Sequence, residues 1–147
     1  MIKNQHQLGV SQTAIADLEK EIALLESSAH NGEVSSELRD LQLAALRSQL
    51  DDIQAEVDDY RALAENPPSV LEATSLLALP AMLISSRIAL GLTQAALGAL
   101  IGVHKQTIQR YEDTDYASAS FDRIAEIAEA LNVDVSHQWQ LPDQAAS

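Results

Sequence analysis

The first regular run of apolar positions is Ile15, Leu18, Ile22 and Leu25, spaced three or four apart, which puts them on one helix face. Val10 and Ile15 flank Ser11 at staple spacing, so the helix is predicted to start at Ser11. Asn31-Gly32 is the predicted stop, since both residues tolerate left-handed backbone. A longer stretch runs from about Ser35 to Leu63. Its stripe, Leu43, Leu46, Leu50, Ile53, Val57 and Tyr60, alternates steps of three and four, with Asp51, Asp52, Asp58 and Asp59 off it. That narrow stripe has the form of a coiled-coil seam. A lone helical hairpin buries little, so this one is expected to dimerise through the seam. The other arrangement is a hairpin packed on the rest of its own chain. Leu38 and Leu41 lie off the seam, where they could meet the first helix.

Asn66-Pro67-Pro68 breaks the helical pattern, because proline cannot continue a helix and the residue before it avoids the α region. Ser69 and Glu72 have capping-box spacing, which predicts a short helix restarting at once. Beyond Leu79 four short helices are predicted. The first spans about Pro80 to Leu90 and ends at Gly91. The second, Gln94 to Leu100, is capped by Thr93 and stapled by Leu92 and Leu97. The third follows Gly102 and reaches about Glu112, with Val103 and Ile108 as its staple. The fourth is capped by Ser120, shows Phe121, Ile124, Ala128 and Leu131 on one face, and closes at Asn132-Val133. The expected organisation is a hairpin over 1–66, a helical unit over 67–136 and a loose tail over 137–147.

Composition supports an all-α protein. Hydrophobic residues make up 46% of the chain but aromatics only 3%, a balance that disfavours sandwiches and barrels. With no cysteine, disulfide scaffolds, thiolate metal sites and Cys nucleophiles are excluded. No apolar run approaches the ~20 residues of a membrane helix, and Met1 to Gln7 is polar, so a cytoplasmic protein is expected. The four histidines lack metal-ligand spacing, and no Ser/His/Asp grouping, phosphate loop or HExxH motif occurs. Neither a metal, a cofactor nor an enzymatic activity is expected.

Charge sharpens the picture. The net charge is −13, which alone argues against nucleic acid. Residues 1–68 hold 5 basic and 13 acidic groups, and residues 69–147 hold 4 and 9. Within that background the polar positions of the third short helix are Lys105, Gln106, Thr107, Gln109 and Arg110, all hydrogen-bond donors and none acidic. The segment around them has the build of a helix-turn-helix. Leu97, Ile101 and Ile108 are apolar where two helices and their turn share a core. Gly98 is small where the helices would cross, and Gly102 permits the sharp turn.

Residues 82–133 resemble the XRE family of helix-turn-helix proteins, which are similar to phage repressor and Cro. The resemblance rests on Gly-Leu-Thr-Gln at 91–94, Ile-Gly-Val at 101–103, Ile-Gln-Arg-Tyr-Glu at 108–112 and Ala-Leu-Asn-Val at 130–133. It implies a lambda-repressor-like domain of four to five helices. It also implies DNA-contacting roles for Thr93 and Gln94 at the second helix, and for Lys105, Gln106, Thr107, Gln109 and Arg110 on the recognition helix. Arg87 is a further candidate for phosphate. Tyr111 and Glu112 are expected to be structural, and Trp139 to dock on its own domain. A hairpin joined to such a domain is similar to the arrangement of some prophage regulators and antitoxins.

Two departures matter. His104 stands where relatives place Ser or Thr, so the recognition helix is weakly capped. The loop Asp113-Thr114-Asp115-Tyr116 is acidic where many relatives are basic, which predicts poor non-specific affinity and a need for two-fold binding. The expected function is a sequence-specific repressor binding a double-stranded DNA operator as a homodimer. Its acidic hairpin would suit a basic partner protein such as a toxin. The alternative is an interaction adaptor that kept the fold without binding DNA.

Overall fold

In the computed structural model, which describes residues 1–28, 35–136, 138 and 141, the regular structure is helical throughout. Two long helices, α1 (Gln5–Ser27) and α2 (Ser36–Glu65), precede four short ones: α3 (Leu79–Ala89), α4 (Gln94–Leu100), α5 (Lys105–Asp113) and α6 (Phe121–Ala130). The predicted stop at Asn31-Gly32, the 137–147 tail as a unit, His30, His137 and Trp139 lie outside the described residues.

α1 starts earlier than its apolar spacing predicts. Asn4 is the cap, its Oδ1 accepting from the Gln7 amide at 2.9 Å, while Val10 is exposed and staples nothing. The extra turns follow from Ile2, which is buried in the core and brings the chain's start down onto the C-terminal helices. Two ion pairs fix α1 and α2 as antiparallel: the Met1 ammonium with Glu56 at 3.2 Å near one end, and Arg47 with Glu26 near the other.

The α2 stripe faces inward. Leu43, Val57 and Tyr60 are buried within the single chain, and Leu46, Leu50 and Ile53 are half-buried. Val57 and Tyr60 share a core with Leu83, Ile84 and Ile88 of α3. Leu38 and Leu41, which the spacing offered to α1, are exposed instead. The reason is geometric: an intramolecular hairpin needs the same narrow 3-4 stripe as an intermolecular coiled coil, so spacing alone does not name the partner.

After the prolines the chain is irregular to Ser75, and the helix expected from Ser69 and Glu72 does not form. The residues after Glu72 are Ala73, Thr74 and Ser75, and short hydroxyl side chains favour turn conformations over a helix body. A 3-10 turn at Leu76–Ala78, capped by Ser75 Oγ, leads into α3.

Ile84, Leu97, Ile108 and Ile127, from four different helices, are fully buried together. Each such side chain contributes roughly 1.5–3 kcal/mol of burial. The cluster runs across the Pro67-Pro68 break, because Ile2, Val57 and Tyr60 belong to it. Asn132, at φ 51°, ends α6 in left-handed backbone, with the Val133 amide reaching back to the Ala128 carbonyl.

α5 ends less comfortably. Asp115 and Tyr116 both have positive φ, at 46° and 61°. An aromatic residue there is strained, and Tyr116 is held by burial of its ring and by its amide donating to the Tyr111 carbonyl at 2.7 Å. Its buried Oη meets no hydrogen-bond partner among the described residues. Burial, with the Glu112 carboxylate nearby, pushes the phenol well above its ordinary range. Tyr116→Phe is therefore expected to be neutral or stabilising by about 1 kcal/mol, since the unsatisfied hydroxyl is removed. The sign with pH follows from the raised folded-state value. The unfolded chain releases the proton near pH ~10 while the folded chain retains it, so stability falls as pH rises above that point. Urea titrations of wild type and Tyr116→Phe on either side of pH 10 check both; an equal alkaline loss in the two proteins would exclude Tyr116 as its source.

Candidate nucleic-acid interface

The α4–turn–α5 unit is set by three local features. Thr93 Oγ1 accepts from the Ala96 amide at 3.0 Å and starts α4. Gly102, at φ 70°, turns the chain in a region closed to most residues. Gly98 sits where α4 meets the segment entering α5. A Cβ built on Gly98 would lie 2.6 Å from the Val103 carbonyl oxygen, so only glycine permits this approach. The Val103 amide then donates to the Gly98 carbonyl at 2.8 Å. His104 caps α5 by position alone, with no side-chain hydrogen bond, as its imidazole predicts.

On α5, Ile108 and Glu112 point into the molecule and Thr107 is half-buried. Lys105, Gln106, Gln109 and Arg110 are exposed. Their i, i+1, i+4, i+5 spacing keeps them on one side of the helix. The Arg110 guanidinium lies 5.7 Å from the Tyr111 ring centroid, a cation–π contact that restrains it at the helix surface. Residues 69–147 contain four basic groups. Arg87 is 3% exposed and inside the core, and Arg123 bonds Glu126 on its own helix. The other two, Lys105 and Arg110, are the outward cations of α5.

Gln94, expected at DNA, and Arg87, the further candidate for phosphate, both lie inside the molecule. Gln94 is 3% exposed, and its Nε2 donates to Glu112 Oε2 at 2.7 Å. Arg87 makes a two-pronged pair with the same carboxylate, Nε to Oε1 at 2.5 Å and Nη2 to Oε2 at 2.8 Å. Its guanidinium also donates to the Leu92 and Lys3 carbonyls. Glu112 itself is 0% exposed, and a carboxylate removed from water requires donors on both oxygens. Arg87 and Gln94 supply them, which ties α3, α4 and α5 to one buried charge.

Lys3 is the residue that sequence reasoning missed. Its Nζ donates to the Glu112 carbonyl and pairs with Asp115 at 3.2 Å. The post-α5 loop is thus less acidic than its sequence alone indicates. Lys3 lies more than a hundred residues from that loop, and no spacing rule connects the two. The burial of Ile2 is what delivers it.

Among the described residues no group of His, Asp or Glu is placed to hold a metal ion. No single helix among them is long and apolar enough to cross a membrane.

No curated protein and no solved structure matches the chain. Residues 83–138 match the family model described as helix-turn-helix. The match takes in α3 from Leu83 on, all of α4 to α6, the buried Arg87–Glu112 pair and the exposed face of α5. Residues 83–138 therefore form a helix-turn-helix domain similar to those of XRE-type DNA-binding regulators.

Proposed function

We propose that the chain is a dimeric, sequence-specific repressor that works in the cytoplasm. The carrying observation is the outward face of α5, where Lys105, Gln106, Gln109 and Arg110 stand exposed while Glu112 is buried and the one exposed carboxylate, Asp113, lies at the helix's last residue. Such a helix fits a major groove, with Arg or Lys suited to guanine and Gln to adenine. Thr107 and the Thr93-capped start of α4 complete the candidate contact set. Gln94 acts from within, holding the start of α4 to Glu112.

The acidic hairpin gives the second part of the reading. Residues 1–68 carry 13 acidic groups against 5 basic. Leu24, Leu38 and Leu41 are exposed toward the end of the hairpin away from the core. A basic partner with an apolar anchor fits that surface, and the toxin of an operon that the protein represses is the form we favour.

The test is binding to the DNA upstream of its own coding region at two salt concentrations, for wild type and Arg110→Ala. Lys105 and Arg110 from two copies give four cationic contacts, hence a log–log salt slope of about −3.6. Arg110→Ala is expected to weaken binding about 10- to 100-fold, the worth of one base contact. No binding at low salt, there and in a selection from random DNA, would overturn the repressor reading in favour of the adaptor.

A further inference from the structure

The C-terminal helices leave an unusually apolar face open. Val70, Leu76, Leu77, Leu90, Phe121 and Val135 are all more than half exposed, Leu77 at 91% and Phe121 at 76%. All but Leu77, which adjoins Leu76 in sequence, line two adjoining grooves of about 730 Å³ each, which share Leu79, Phe121 and Val133 in their walls. At about 100 Å² for each such side chain, the six offer on the order of 600 Å² of apolar surface.

We propose that this face, formed by residues 68–90 and α6, is where two copies of the chain meet. The proposal rests on the dimer reading above and locates its contact. Charge selects a second copy as the occupant. Each chain carries a net charge of −13, so self-association is least opposed where carboxylates are fewest. The residues lining the two grooves include only Glu129 and Asp134 as charged groups. The hairpin, by contrast, exposes Asp51, Asp52, Asp58 and Asp59 along α2. Three of its six stripe residues are buried within the chain and offer nothing to a partner.

Area agrees with this choice. A stable interface buries roughly 800 Å² per partner, about what the apolar patch and a polar rim supply. No residue of α4 or α5 lines the grooves, so a contact here leaves Lys105, Gln106, Gln109 and Arg110 of both copies open to DNA.

Sedimentation of the full-length chain tests the proposal. Wild type is expected to be a dimer, and the pair Leu77→Glu with Phe121→Glu to weaken association roughly a hundredfold. Both side chains are exposed, and an acidic residue at the first turn of α6 suits the helix dipole, so far-UV circular dichroism and the melting midpoint should be retained. Leu24→Glu with Leu41→Glu, at the hairpin end, should leave the dimer intact. A wild-type monomer at all concentrations overturns the proposal and points to the 137–147 segment or a different protein as the occupant. A dimer that survives the Leu77 and Phe121 changes, or is lost with the Leu24 and Leu41 changes, overturns the location while leaving DNA binding by α5 to stand or fall on its own test.

Discussion

Arg87→Met is expected to destabilise the protein by about 3–5 kcal/mol, because it leaves a carboxylate buried without its counter-charge. Glu112 is fully buried, and after the change the Gln94 amide is the only donor left to its carboxylate among the described residues. Two further groups lose a donor, the carbonyls of Lys3 and Leu92. Methionine retains much of the apolar stem, so the loss reports the guanidinium rather than a cavity. Glu112→Leu alone should cost a similar amount, since it strands the Arg87 cation. The double variant should recover much of the deficit, because a buried ion pair replaced by apolar groups of like volume is often near neutral. Recovery will fall short of complete, as the two carbonyls and the Gln94 amide remain unpaired. Urea unfolding of wild type, both single variants and the double closes the cycle. Single losses below about 1 kcal/mol would show that the pair is solvated in solution.

Gly98→Ala is the second large effect, and it strikes shape rather than charge. The new Cβ would stand 2.6 Å from the Val103 carbonyl oxygen, an atom of the backbone that cannot rotate away. Relief requires the turn between α4 and α5 to open, which strains the Val103-to-Gly98 hydrogen bond. Overpacking of this kind costs about 1–3 kcal/mol. The displaced element is α5, so DNA affinity should fall at least about 10-fold beyond what the unfolded fraction explains, a drop of roughly one unit in log K. Gly9→Ala is the internal comparison: Gly9 is also within a helix, and a Cβ there meets nothing within 4 Å. It should be neutral or stabilising by about 0.5–1 kcal/mol. Calorimetric melting and operator titration of the two variants separate the cases. An unchanged melting point for Gly98→Ala would mean that α4 and α5 pack more loosely than described.

Much of this protein was legible from residue order. Helix periodicity and caps are local properties, so the starts of α2, α4 and α6 follow from Ser35, Thr93 and Ser120, the turn before α5 from Gly102 and the end of α6 from Asn132. The helix-turn-helix was legible for the same reason: its glycines, its apolar triad and its polar face all fall within twenty residues. The exposed set Lys105, Gln106, Gln109 and Arg110 could be read from helical spacing alone.

What the order of residues could not decide was which surfaces meet. The stripe on α2 is equally good for a second chain or for its own neighbours; the structure turns Val57 and Tyr60 onto α3 because Ile2 and α1 close over the same core. Gln94 and Arg87 are polar, and by composition belong outside, yet both are drawn inward by one buried carboxylate. Lys3 meets Asp115 only because the chain's start folds back across more than a hundred residues. Local sequence determines which helices form and which face of each is polar, since those depend on neighbours three and four residues away. Burial of a charge and the choice of a packing partner depend on contacts between distant segments, and only the tertiary structure brings those together.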